Sequence, residues 1–92
     1  MKDIKKELQK VIGKIRKDTG DEYPKAMMTG QQMAKRTATV NCGGEWRNKE
    51  TCARYADMVE TDPRFLAFLA EFGATAHREP NPFGGVQIRI HY

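Results

Sequence analysis

A chain of 92 residues, 39% hydrophobic and 30% charged, has room for one domain with a thin core and is too apolar for wholesale disorder. No apolar run approaches the ~20 residues that cross a bilayer. The opening MKDIKKELQK carries charge where a secretory leader would be apolar, so a cytoplasmic protein with no membrane partner is expected. The net charge of +4 is uneven: residues 1–36 hold ten Lys/Arg against five Asp/Glu, and residues 37–92 hold six against seven. The basic character belongs to the first third of the chain, and a cationic surface attracts nucleic acid or an acidic protein.

Residues 3–17 predict an amphipathic basic helix within the segment 1–17. Ile4, Leu8, Val11, Ile12 and Ile15 share one stripe, and Asp3 is placed to cap the start. Lys14, Arg16 and Lys17 suit the negative end of the helix dipole, and Thr19-Gly20 stops the helix. Lys2, Lys5, Lys6, Lys10, Lys14 and Lys17 take the opposite side, as a solvated face or a contact surface. Residues 18–33 follow as an irregular connector punctuated by Pro24 and Gly30. Met27, Met28 and Met33 in it are flexible fillers, suited to an irregular core or an adaptable surface.

Alternation over residues 34–42 predicts a strand with Ala34, Arg36, Ala38, Val40 and Cys42 on one face, ended by Gly43-Gly44. Asn48 caps a second helix running through Glu60, with Cys52, Tyr55, Ala56 and Val59 at helical spacing. Thr61-Asp62-Pro63 breaks and restarts it, with Asp62 as cap and Pro63 at the first helical position. The third helix carries Phe65, Leu66, Phe68, Leu69 and Phe72 on most of its sides, which predicts the buried spine of the fold, closed by Gly73. ATAHRE and GVQIRIHY around PNPFGG predict a hairpin, with Val86, Ile88, Ile90 and Tyr92 pointing one way. The expected fold class is α+β: one domain over residues 1–92, order α-β-α-α-β-β, with a three-stranded antiparallel sheet covered by helices on one face. Residues 34–92 form its β-α-α-β-β unit.

Catalytic chemistry finds no constellation. His77, His91, Glu79 and Cys52 join no nucleophile–base motif, and surface histidines account for the pair. Cys42, Cys52, His77 and His91 are potential zinc ligands, but nine residues separate the cysteines and thirteen the histidines, unlike the close pairs of zinc knuckles. The cysteines are expected to be buried free thiols. Neither G-x-G-x-x-G nor a Walker loop occurs. No catalytic residue, metal or cofactor is expected, and the protein is not expected to be an enzyme.

The β-α-α-β-β order of residues 34–92, with VIGKIRKDTG ahead of it, resembles part of a K-homology RNA-binding domain. That family carries a GxxG loop between its adjacent helices. This chain has Glu60-Thr61-Asp62-Pro63 there, and two acids would repel a phosphate backbone. The resemblance therefore extends to topology alone.

Trp46 beside Arg47 pairs two residue types enriched at interface hot spots, while folding of Trp46 over the start of the second helix is the alternative. The candidate partner-binding set is Lys5, Lys6, Lys10, Lys17, Lys35, Arg36, Trp46, Arg47 and Arg89. The expected function is a small non-enzymatic binding protein that modulates or inhibits a larger assembly. Phages and other mobile elements carry inhibitors of this type, anti-CRISPR proteins among them. Its partner would be a protein with an acidic surface, a nucleoprotein complex included. The alternative is a nucleic-acid-binding domain that uses the basic N-terminal helix.

Overall fold

Leu8, Ile12 and Ile15 recur at one-turn spacing, and the chain uses that stripe to lay its first helix against a sheet. The computed structural model describes residues 2–43, 47–82 and 84–92. Helix α1 spans Ile4–Thr19. The Asp3 carboxylate accepts from the backbone N–H groups of Lys5 and Lys6 at its start, and Gly20 closes it in the left-handed conformation at φ 67°. The next elements are β1 (Lys25–Met27), α2 (Gly30–Ala34) and β2 (Thr37–Asn41). They are followed by α3 (Lys49–Thr61), α4 (Pro63–Phe72), β3 (Thr75–Pro80) and β4 (Val86–His91).

The α+β class and the antiparallel sheet stand as expected, but the sheet has four strands in the order β1-β2-β4-β3. The extra strand comes from the connector. Lys25, Ala26 and Met27 pair with Asn41, Val40 and Thr39, so a segment expected to be irregular becomes the sheet's edge. The connector also folds into α2, where the Thr29 hydroxyl and the Gln32 side chain cap each other's backbone N–H groups. Strand β2 accordingly begins at Thr37 rather than at 34. Ala34 ends α2, and Arg36 turns the chain at φ 56°.

Ala38, Val40, Ile88 and Ile90 form the sheet's inner face and pack with Leu8, Ile12 and Ile15 of α1, Tyr55, Ala56 and Val59 of α3, and Phe65 and Phe68 of α4. Helix α4 is an outer wall of this core and not its spine. Phe65 and Phe68 are buried, Leu69 and Phe72 are half-buried, and Leu66 is 49% exposed. Its apolar content exceeds the face it can bury, because ten residues present only about one stripe to the core. Asn48 and Asp62 cap α3 and α4 as expected, with Pro63 in the first turn of α4 and Gly73 closing it.

Strand β3 is the other edge. Arg78 lies on its inner side, cross-strand from Ile88, and reaches Asp57 and Glu60 of α3 at 2.7 Å each. The outer face of the sheet carries Thr39, Asn41, Gln87, Arg89, His77 and His91. Among the described residues, the helix bonded to it is α2, through the Gln32 amide donating to Thr39 at 3.2 Å. No helix among the described residues is long and apolar enough to cross a membrane.

Candidate functional site: a lysine stripe and its surroundings

Among the described residues, four of the seven arginines are paired with carboxylates. Arg47 is bonded to Asp21, Arg64 to Asp18 and Asp62, Arg78 to Asp57 and Glu60, and Arg89 to Glu79. A planar guanidinium matches a carboxylate with two parallel donors, so these pairs are worth holding in place. Among the described residues, Lys5, Lys6, Lys10, Lys14 and Lys17 of α1 have no ion pair. Only Lys2 of this segment does, with Glu71 at 2.8 Å. Lys25, Lys35, Arg36, Lys49 and Arg54 also have no ion pair among the described residues, but they are scattered, whereas those of α1 share one helix.

Helical geometry aligns those lysines. Lys6, Lys10, Lys14 and Lys17 stand at i, i+4, i+8 and i+11, on the side opposite Leu8 and Ile15, and all four are exposed. They form a straight row about 16 Å long at 1.5 Å per residue. Lys5 is half-buried on the flank and does not belong to the row. The apolar stripe of α1 is consumed by the core, since Leu8, Ile12 and Ile15 are at most 1% exposed. The exposed side of the helix is therefore polar and charged.

The other candidate residues lie elsewhere. Arg36 donates to the Tyr92 carbonyl at 2.9 Å with its guanidinium over the Tyr92 ring, and its own carbonyl accepts from the Tyr92 N–H at 3.0 Å. This clasp places it and its neighbour Lys35 at the turn into β2. Arg89 stands on the outer face of the sheet, committed to Glu79. Burial pushes the Glu79 carboxyl up, but hydrogen bonds from Gln87 and Arg89 outweigh it and hold the group below its ordinary value. Trp46 lies outside the described residues. Its neighbour Arg47 is engaged by Asp21, whose carboxylate also accepts from the Tyr55 hydroxyl at 2.7 Å. The eight described candidates thus fall into separate places, with Lys6, Lys10 and Lys17 sharing the surface of α1, joined there by Lys14.

Two residues the sequence reading passed over border that surface. Arg16 and Lys25 both line two concavities formed by residues of α1, the segment after it and β1. Arg16 sits on the flank of the helix, away from the row, and Lys25 can be placed only once the connector is known to form β1. Arg16 was legible as a flank cation from its helical angle, but not what it faces.

The zinc-ligand residue types do not converge. Cys42 is buried with the inner face of the sheet, whereas His77 and His91 are exposed on the outer face, their rings stacked 5.3 Å apart. Among the described residues no group of three or more His, Cys, Asp or Glu could hold a metal. Cys42 and Cys52 are free thiols, and burial pushes the Cys42 thiol up to about 12. Where a K-homology domain would carry its glycine loop, Asp62 caps α4 and its carboxylate is bonded to Arg64. No protein family, curated protein or solved structure matches the chain.

Proposed function

We propose that this is a small non-enzymatic binding protein that docks on a polyanionic surface of a larger, nucleic-acid-handling assembly and modulates or inhibits it, as the anti-CRISPR proteins of phages do. The observation that carries this reading is the distribution of charge: Arg47, Arg64, Arg78 and Arg89 are tied to carboxylates, while a row of four lysines on α1 has no ion pair among the described residues. Unpaired surface charges of one sign raise encounter rates with an opposite surface and reject like-charged partners. The rigid helix keeps the row straight, so little ordering is needed on contact.

The test is charge reversal at Lys6, Lys10 and Lys17, which avoid the buried stripe and should leave the fold intact, with a small fall in melting temperature from Lys17 at the negative end of the helix dipole. Tagged wild-type and reversed proteins are used for affinity capture, with and without nuclease. Loss of the wild-type partner from the reversed protein is expected. Retention of the same partner at the same yield would remove the lysine row from the interface.

A further inference from the structure

We propose that the furrow between α1 and the edge strand β1 seats the phosphodiester backbone of a nucleic-acid strand, an inference that rests on the polyanion-docking reading above and names its ligand. The furrow consists of two concavities of about 640 and 460 Å³ that share Arg16 and Lys25 as a common waist. The larger one also takes in Gly13 and Lys17, and the smaller one Gln9. Lys17 belongs to the exposed row on α1 as well, so the furrow and the lysine row are continuous.

The waist is built to hold an anion. One Arg16 nitrogen donates to the Pro24 carbonyl at 3.0 Å, which fixes the guanidinium while its other donors keep no partner among the described residues. The Lys25 ammonium stands 5.0 Å from the centre of the Tyr23 ring and pairs with no carboxylate among the described residues. Two acids border the larger concavity, one bound elsewhere and one exposed. Asp21 is held by Arg47 and Tyr55, and Glu22 lies 4.0 Å from the same Arg47. Gly13 adds no side chain to the wall; a Cβ there would meet only the Arg16 Nη2, at 3.5 Å, so a larger residue would project into the space.

The surroundings favour phosphate over an acidic protein. Protein interfaces draw most of their affinity from buried aromatic or aliphatic anchors. The exposed large hydrophobics among the described residues are Met27, Met33 and Leu66, and none of them lines the furrow or stands on the lysine row. Backbone recognition of nucleic acid needs only charge and directed donors, and it carries no sequence information. With four row lysines, Arg16 and Lys25 engaged, log Kd against log salt should have a slope magnitude of about 4 for a single strand and about 5 for a duplex.

The experiment titrates fluorescent single-stranded and duplex oligonucleotides of mixed sequence with the full chain at several salt concentrations, with poly-glutamate as competitor. Binding that is insensitive to sequence, has the stated slope and resists poly-glutamate is expected. Gly13→Glu and Lys25→Ala should each weaken it about tenfold without lowering the melting temperature, and Lys49→Ala, outside the furrow, should not change it. No oligonucleotide binding at low salt, indifference to both furrow variants, or equal competition by poly-glutamate would each overturn the inference. If that happens while charge reversal on α1 still abolishes partner capture, the docking reading survives alone. If the furrow variants act on oligonucleotides but the reversed protein keeps its captured partner, the docking reading is what falls.

Discussion

Arg47 and Asp21, 26 residues apart in sequence, hold each other through paired hydrogen bonds, and Tyr55 of α3 donates to the same carboxylate. The contact fastens the segment after α1 to the entry of α3, and it removes Arg47 from the residues free to anchor a partner. Arg47 first, then Tyr55, holds the Asp21 carboxyl well below the ordinary carboxylate range.

That shift predicts an acid-sensitive contribution to stability. The unfolded chain takes up the Asp21 proton near its ordinary value of about 3.9, before the folded protein does. The contribution is therefore complete above about pH 4 and is lost as pH falls toward the lower folded value. Asp21→Asn should be less stable than wild type at neutral pH, and the gap should narrow steadily below about pH 4. Urea denaturation curves across that range check it; a gap independent of pH would show that the carboxylate's charge does not matter.

Helix α4 separates apolar content from burial. Phe68 packs with its ring centre 6.2 Å from that of Phe65 and 5.0 Å from that of Phe72, so Phe68→Ala should cost about 3–5 kcal/mol. Leu66→Ala, at a half-exposed position, should stay within about 0.5 kcal/mol. Equal losses in chemical denaturation would mean that both side chains are equally enclosed, contrary to the packing.

Two glycines adopt left-handed backbone for different reasons. Gly20 at φ 67° has open space around it, so Gly20→Ala should cost only the conformational strain of about 1–2 kcal/mol. A Cβ on Gly85, at φ 74°, would overlap the Gly43 carbonyl oxygen and come within 3.0 Å of the Cys52 sulfur. Gly85→Ala must strain the backbone and also displace it, so its melting temperature should fall below that of Gly20→Ala.

The thiols give a kinetic readout of the closed core. Cys42 and Cys52 are at most 1% exposed, and burial leaves little Cys42 thiolate near pH 8. A thiol-alkylating reagent should modify neither in the native protein and both in denaturant. Rapid native labelling at Cys42 would place that residue outside the core.

The caps and the helix periods were legible because they are local. Asp3, Asn48, Asp62, Gly20 and Gly73 each act within one turn of their own position. Strand β1 was not legible: three residues give a single inward side chain, Ala26, and no alternation to detect. Helix α2 did leave a signal in Thr29-Gly30-Gln31-Gln32, the spacing of a capping box, but its five residues carry no buried face to mark it as a helix. The same locality divides the candidate site. Lys6, Lys10 and Lys17 could be grouped from one helical face. Arg47 and Arg89 read as available cations because Asp21 and Glu79 reach them only through tertiary and cross-strand contacts.

Arg78 has a consequence for the protein as a solute. A six-residue edge strand such as β3 is a template on which another chain can extend a sheet, and natural proteins blunt such edges with inward charges and prolines. Here Arg78 turns its charge toward the helical layer and Pro80 contributes no backbone donor, so an incoming strand would have to settle beside a guanidinium already held by Asp57 and Glu60. Resistance to aggregation would then reside in one side chain of modest energetic value. Arg78→Val should melt close to wild type yet scatter light increasingly with concentration, as copies join edge to edge into growing ribbons.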